Sequence, residues 1–207
     1  MKILPAAFIT LLLTLLPGGA AMAEQEKQAA VANPAVRSTE RPNTDIAVKV
    51  RNDGELITVD VAFTVPVPPQ QAWAVLTDFD NIPHFVSSIR SSKVIERSGS
   101  SVHVSQSGIE KYGFLTISLE SVRKIDLVPF RKIQERMVSG SMEKMEETTL
   151  LLPEGEHTRI IYHADIIPGR WIVRFVGAVS VENEARKQFQ EIINEINRRK
   201  RLIVTSG

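Results

Sequence analysis

The chain contains no cysteine, which excludes every disulfide and any anchor built on a lipid-modified cysteine. The folded part must therefore be stable on its hydrophobic core alone. An excess of one charge is also missing: 25 basic residues face 24 acidic ones, for a net charge of +1. General nucleic-acid binding requires a basic surface, so this balance of charges argues against it.

A long membrane-spanning run is missing too, although the N-terminus is apolar. Met1-Lys2 precedes an apolar run from Ile3 to Leu16, which is shorter than the roughly 20 residues that a span needs. Pro17-Gly18-Gly19 ends the run, and Ala21-Met22-Ala23 has the small residues of a peptidase site. The pattern favours a secretory signal over 1–23, cleaved near Ala23, rather than an uncleaved anchor. We expect a periplasmic or secreted protein.

Residues 24–45 are polar, rich in alanine and interrupted by Pro34 and Pro42, which predicts a flexible leader. The folded domain is expected over 46–207. Its first clear signal is a turn at Asn52-Asp53-Gly54, followed by the alternating run 56–67. In that run Ile57, Val59, Val61, Phe63, Val65 and Val67 share one face, as expected for a half-buried strand.

The remaining pattern predicts an α+β fold. Pro68-Pro69 can open a short helix, and a second helical turn should carry His84 and Phe85. Strand-like runs follow at 92–97, 101–107, 112–125, 129–138, 144–152 and 158–167, separated by turn residues. A long amphipathic helix is expected from Trp171 to Leu202. Such a sheet must cover its apolar face, and only this helix is large enough to do so.

This order, with three local stretches, resembles the START-like superfamily, also called SRPBCC or helix-grip proteins. The strongest stretch is Val65 to Ser87 (VPVPPQQAWAVLTDFDNIPHFVS), with Trp73, the Asp78-Phe79 pair and Ile82-Pro83. Gly140 to Leu152 (GSMEKMEETTLLL) is a looser match. Ile167-Pro168-Gly169, before the last helix, completes the set. The branch that it resembles is the polyketide cyclase/dehydrase and coenzyme Q-binding group.

The resemblance implies a curved antiparallel sheet of about six to seven strands around a long C-terminal helix, with two short helices after the first strand. It also implies a cavity between sheet and helix that holds a hydrophobic small molecule or lipid. We expect a non-catalytic binding or carrier protein; the alternative is a polyketide cyclase or dehydratase using the same cavity. The candidate cavity residues are Phe79, Phe85, Val104, Gln106, Tyr112, Phe114, Met137, Tyr162, Phe175, Val179 and Phe189.

The alternative needs polar groups in the cavity to transfer protons, for which the candidates are Gln106, Tyr112, Tyr162 or an acid. An inward Gln106 amide could fix a ligand carbonyl or equally satisfy a backbone group. Two acids near the first helix, Asp78 and Asp80, are most simply solvated or capping groups. The acids of the 144–152 run and its flank, Glu143, Glu146 and Glu147, are most simply strand-edge charges.

Other chemistry finds no support in the sequence. The four histidines lack zinc-ligand spacing, and no serine elbow, phosphate loop or dinucleotide glycine pattern occurs, so we expect neither metal nor cofactor. Arg198 to Arg201 can complement the helix dipole. They could also touch anionic lipid headgroups during a transient contact with a membrane surface.

Overall fold

A computed structural model describes residues 45–112, 115–169 and 178–205. The predicted signal, over 1–23, and all but the last residue of the predicted leader lie outside the described residues. Within the described part no helix is both long and apolar enough to cross a bilayer.

One antiparallel sheet of eight strands dominates the fold. In chain order the strands are β1 (Ala47–Asp53), β2 (Leu56–Val65), β3 (Ile89–Ser98), β4 (Ser101–Tyr112), β5 (Leu115–Val128), β6 (Lys132–Gly140), β7 (Met142–Glu154) and β8 (His157–Pro168). Their order across the sheet is β1-β2-β8-β7-β6-β5-β4-β3. The long connection from β2 to β3 therefore takes the chain from near one edge of the sheet to the opposite edge.

The expected strand count was one or two too low. The run before Asn52-Asp53-Gly54 pairs with β2 along its whole length, from Ala47 opposite Ala62 to Asp53 opposite Leu56. It is therefore a full strand of the sheet, because a tight turn holds it beside β2. For the same reason the two short helices follow the second strand, not the first. These are α1 (Pro69–Leu76) and a 3-10 helix (Phe79–His84).

The alternation read from β2 is confirmed. Ile57, Val59, Val61, Phe63 and Val65 are all buried on one face. They form the first core, together with Leu151 and Ile160 from the neighbouring strands and Phe189, Ile193 and Ile196 from the last helix. This helix, α2 (Ala178–Thr205), packs against β1, β2 and α1. The part of the predicted helix over 171–177 lies outside the described residues.

A second core lies under the 3-10 helix on the other half of the sheet. Phe79 is its contribution from that helix, and Val102, Val104, Ile125 and Ile133 come from β4, β5 and β6. The sheet is thus covered in two places by two different elements. Two separate covers on one curved face leave room for a space between them.

Polar contacts fix α2 over the sheet. Arg199 Nη2 lies 2.7 Å from Asp78 Oδ2, and its Nε donates to Glu195 Oε1 at 2.7 Å. The Glu191 carboxylate accepts from the Ser87 hydroxyl at 2.7 Å. Hydrogen bonds from Arg198 and Arg199 hold the pKa of the Glu195 carboxyl down to about 2, although its burial opposes this. The helix therefore stays docked by ion pairs on one side and apolar contacts on the other.

A glycine allows the close approach between β5 and β6. Gly140 has φ of 155°, and a Cβ at this position would lie 2.3 Å from the Glu120 carbonyl oxygen. No side chain fits there, so the residue must be glycine. Gly140 ends β6, and after the single residue Ser141 the chain enters β7 at Met142.

Candidate functional site

A cavity of about 230 Å³ lies between the two covers of the sheet. Its walls come from α1, the 3-10 helix, strands β3 to β8 and α2. Most of the wall is apolar, and three methionines, Met137, Met142 and Met145, supply flexible side chains. The described apolar lining comprises Val75, Leu76, Phe79, Ile82, Phe85, Val86, Ile89, Leu119, Ile133, Met137, Met142, Met145, Phe189 and Ile192.

The structure places some of the predicted cavity residues in the cavity wall and others elsewhere. Six line the cavity: Phe79, Phe85, Gln106, Met137, Tyr162 and Phe189. Val104 does not, because it is fully buried in the second core beside Ile125. Tyr112 and Val179 lie in β4 and α2, but their side chains are outside the description, and Phe114 and Phe175 lie outside the described residues. Contact of any of these residues with a ligand stays a prediction.

The Gln106 side chain points inward, as expected, and lines the cavity. Its Nε2 donates to Ser92 Oγ at 3.0 Å, and its Oε1 accepts from Arg123 Nη2. Both ends of the amide are thus engaged by side chains of neighbouring strands. The amide orients Arg123 in the cavity wall rather than satisfying a backbone group.

Arg123 is the centre of a buried charged group that the sequence reading did not find. Its Nη1 lies 2.8 Å from Glu135 Oε2 and 3.4 Å from Glu147 Oε2. The exposed fractions of these side chains are only 11%, 14% and 13%. Together with Gln106 and Tyr162 they form what we term the polar cluster, and all five residues line the cavity. The expectation that Glu147 is a strand-edge charge is wrong, because its side chain is largely buried in the cavity wall.

The register of the sheet brings these charges together. Glu135 on β6 lies directly opposite Glu147 on β7, and Arg123 on β5 is next to a β-bulge between β5 and β6. Two like charges opposite one another in a sheet are unfavourable. The guanidinium compensates both of them. Bulges often redirect side chains near functional sites, which fits this position.

The alternation of inward and outward residues along each strand could have predicted that these three charges face inward. Arg123 shares its phase in β5 with Ile117 and Ile125, which are buried. Glu135 shares the phase of buried Ile133, and Glu147 the phase of buried Leu151. Three adjacent strands therefore each place one charge on the inward face. A charge in an apolar phase on a single strand means little, but three on neighbouring strands indicate a buried polar site.

Burial dominates the acidity of the polar cluster. Burial raises the pKa of the Glu135 carboxyl, the positive charge of Arg123 lowers it and the negative charge of Glu147 raises it, and the result is a pKa of about 7. An ion pair alone would lower this pKa, so desolvation outweighs the pairing. For Arg123, burial alone would lower the pKa, because it disfavours the charged guanidinium. The negative charges of Glu135 and Glu147 outweigh this effect and raise the pKa above its ordinary value.

Tyr162 belongs to the same network, in which its hydroxyl is a hydrogen-bond donor. Burial, followed by the negative charge of Glu147, raises the pKa of its hydroxyl well above the usual value. The hydroxyl bonds to the Glu147 carboxylate, and the ring packs edge-on against Phe189 of α2, with centroids 4.8 Å apart. Tyr162 thus links the polar cluster to the helix that covers the cavity.

Two buried polar atoms of the cluster have no hydrogen-bond partner: Arg123 Nε and Glu135 Oε2. Oε2 is within ionic distance of Nη1, but the N–H does not point at it, so the contact is electrostatic and not a hydrogen bond. Buried groups left without partners are uncommon in folded proteins and need an explanation. One explanation is a molecule in the cavity.

The histidines lie away from this site. His163 Nδ1 is 2.7 Å from Asp60 Oδ1 on the outward face of β8, and His103 pairs with Glu96 at 3.0 Å. In the part of the chain that the structure describes, no group of three or more histidine, aspartate or glutamate side chains could hold a metal ion.

The same architecture occurs in solved structures. The STAR-related lipid transfer protein of Xanthomonas axonopodis matches with a TM-score of 0.64 and 11% identity, over 73% of this chain and 93% of that one. The Zhui aromatase/cyclase of Streptomyces sp. R1128 matches with a TM-score of 0.58 and 16% identity, over 70% and 95%. A START superfamily protein of Mycobacterium smegmatis matches with a TM-score of 0.55 and 16% identity, over 70% and 98%.

These likenesses establish the helix-grip fold of START-like proteins. The family model described as "Polyketide cyclase / dehydrase and lipid transport" matches residues 65–192, and the chain belongs to that family. A comparison with curated proteins found no match. The resemblance read from Val65 to Ser87 is thereby confirmed, and the stretch falls at the start of the matched range.

Substituting Glu135→Gln should flatten the pH dependence of stability. In the wild type the folded-state pKa of about 7 exceeds the ordinary 4.5, so stability is fully present below about pH 4.5 and is lost as the pH rises through 7. The loss should be about 3 kcal/mol in the free energy of unfolding, since one pKa unit corresponds to about 1.4 kcal/mol. The Gln variant cannot ionise and should lack this loss.

Urea unfolding across this pH range measures the difference. Glu156→Gln, in an exposed turn, is the matched control and should follow the wild type. Parallel pH profiles of wild type and Glu135→Gln would contradict the buried, desolvated state of Glu135.

Proposed function

We propose that the protein binds a hydrophobic small molecule in the cavity between the sheet and α2 and acts as its carrier. The observation behind the proposal is an apolar cavity of about 230 Å³ with a buried polar cluster in its wall. This is the usual composition of a ligand site, where apolar walls give affinity and a few polar groups fix orientation. The family description, which names lipid transport, supports the same conclusion.

The volume limits what can bind. Sites for drug-sized ligands commonly measure about 300–1,000 Å³. A cavity of about 230 Å³ is below that range. It suits one compact molecule or a single short chain, whereas a lipid with two long acyl chains would need the walls to move apart.

Filling the cavity should weaken the binding of a compact, neutral, apolar dye such as the naphthalene dye Prodan. Ser121 lines the cavity on β5, and Ser118 on the same strand is exposed. Ser121→Phe should weaken binding at least about tenfold, which corresponds to about 1.4 kcal/mol, because the ring takes the ligand's place. Ser118→Phe adds the same group outside and should leave the affinity unchanged.

Fluorescence titration of the three proteins makes the comparison. Equal binding by all three would mean that the dye occupies another surface. A wild-type protein that takes up neither this dye nor any other apolar molecule would contradict the proposed function.

Catalysis is the second candidate, and Glu135 is the observation in its favour. A carboxyl with a pKa of about 7 can both donate and accept a proton near neutral pH. Tyr162 and Glu147 lie in the same cluster, so a proton could be taken up by one group and supplied by another. This is the arrangement that a cyclase or dehydratase acting on a polyketide-like substrate would need, and the Zhui aromatase/cyclase shares the fold.

Turnover of a reactive polyketone separates the two candidates. If the protein is an enzyme, Glu135→Gln should lower turnover by about 100-fold or more while changing substrate affinity little. Glu156→Gln should retain the wild-type rate. Product analysis by mass spectrometry is the measurement. A rate equal to the spontaneous reaction in wild type and both variants would leave only the carrier function.

Export is part of the same proposal, because the segment 1–23 has the pattern of a cleaved signal. Protein recovered from the producing cells should begin at Glu24, as measured by intact mass. Ala23→Arg places a large charged group at the expected cleavage site and should leave the full-length chain. A wild-type protein that retains residues 1–23 would contradict export with cleavage.

The expected contact with a membrane surface now depends on fewer cations. Arg198 and Arg199 are engaged by Glu195, and Arg199 also by Asp78. A transient contact with anionic headgroups through the end of α2 stays a prediction, with Lys200 and Arg201 as its remaining basis.

A further inference from the structure

The C-terminal end of α2 exposes three apolar side chains in a row. Leu202, Ile203 and Val204 are 53%, 57% and 72% exposed. Successive residues of a helix are turned by about 100°, so three in a row spread around the helix instead of forming one stripe. The other large apolar side chains that the described residues expose stand apart along the chain, as is usual on a protein surface. The end of α2, which we term the apolar tip, is therefore a hydrophobic surface without a cover.

Two cations without acidic partners lie directly behind the apolar tip. Glu195 engages both Arg198 and Arg199. In the part of the chain that the structure describes, neither Lys200 nor Arg201 has an ion pair. Cations at a helix end complement the helix dipole, but the dipole does not explain the apolar residues that follow them. Long cationic side chains beside an apolar surface are typical of a contact with lipid headgroups.

An open groove beside these cations has the same character. Its polar lining consists of Gln190, Asn194, Asn197, Lys200 and Arg201. These residues follow one face of α2, because positions three or four apart on a helix are neighbours, and Val204 continues that face by one turn. No acid is among the described residues that line the groove. Amides and cations all donate hydrogen bonds to phosphate oxygens, so the groove suits an anionic headgroup next to the apolar tip.

We propose that the end of α2 docks on a bilayer that contains anionic lipids. Ile203 and Val204 enter the apolar layer, while Lys200 and Arg201 bind headgroup phosphates at the groove. Charge favours a lipid surface over a second copy of the chain as the occupant. A symmetric dimer brings the same patch of both copies together, so its cations would face each other.

The inference rests on the proposed carrier function for its purpose, because a carrier must meet the membrane that supplies or receives an apolar cargo. Its geometry is independent of the polar cluster. The helix that docks also supplies Phe189 and Ile192 to the cavity wall, so the site of docking and the cavity share one element.

Co-sedimentation with vesicles tests the charged and the apolar part separately. The wild type should bind vesicles of phosphatidylcholine mixed with phosphatidylglycerol at least about tenfold more tightly than vesicles of phosphatidylcholine alone, since each cation near an anionic surface contributes about fivefold. Lys200→Gln combined with Arg201→Gln should remove most of this preference. Ile203→Ser combined with Val204→Ser should weaken binding to both kinds of vesicle about tenfold or more, because fewer apolar side chains leave water.

Control variants with the same residue types lie elsewhere on the surface. Lys49 and Arg136 are exposed on the face of the sheet opposite to α2. Ile95 and Val138 are 56% and 60% exposed. Lys49→Gln with Arg136→Gln, and Ile95→Ser with Val138→Ser, should bind both kinds of vesicle as the wild type does. Every variant has the same N-terminal segment, so differences report the substituted side chains alone.

Three results would overturn the inference. The first is a loss of vesicle binding by the control variants that equals the loss by the α2 variants, or no loss in either. The second is release from the vesicles by soluble glycerol phosphate, which would mean that the groove binds a free phosphate. The third is a dimer, detected by light scattering, that Ile203→Ser with Val204→Ser dissociates, which would assign the apolar tip to a second copy.

Prodan titration of the same proteins separates this inference from the carrier function. All the α2 variants should bind Prodan as the wild type does, because their substitutions lie outside the cavity lining. Ser121→Phe should conversely keep the wild-type affinity for vesicles. A wild-type protein that binds Prodan but no vesicles would refute docking and leave the carrier function standing. Vesicle binding with the expected variant losses, but without Prodan uptake, would support docking and refute the carrier function.

Discussion

The site depends on one guanidinium. Arg123 lies within ion-pair distance of two carboxylates that face each other on neighbouring strands, and Gln106 accepts from its other end. Removing the cation would leave two buried, like charges opposite one another, which proteins tolerate poorly. The same cation offers its one unpartnered donor in the cavity wall. Stability of the sheet at this point and chemistry of the cavity are therefore properties of the same residue.

The cavity follows from how two elements divide the coverage of one sheet. The apolar stripe of α2 packs on β1 and β2, while the 3-10 helix covers a separate core built on β4 to β6. Between the two cores, the middle strands face the cavity at several inward positions. Their inward positions would be costly to leave as an empty apolar space, and three methionines together with the polar cluster occupy part of it. A carrier and an enzyme could both use the result, which is why fold alone does not choose between them.

Much of the framework could be predicted from local pattern. Alternation predicts β2 and its buried face, and Pro68-Pro69 predicts the start of α1. The family resemblance implies the cavity, which Phe79, Phe85 and Phe189 line as expected. The polar cluster could not be found in the same way. A lone Glu147 in a strand full of glutamate and threonine looks solvated, because nothing in its own strand shows that β6 places Glu135 opposite it. Val104 was not found in the cavity for a similar reason. Its side chain faces inward, as expected, but it is buried in the second core and does not line the cavity.

The sequence by itself determined the periodic features: which residues of each strand face inward, where turns fall, and that one long amphipathic helix closes the fold. These depend on the repeat of two or 3.6 residues along one segment, so neighbouring residues suffice to read them. Only the tertiary structure decided which inward residues meet. Pairing register across five strands brings Gln106, Arg123, Glu135, Glu147 and Tyr162 into one wall. Burial then sets their acidity, because the desolvation of a charge depends on everything packed around it.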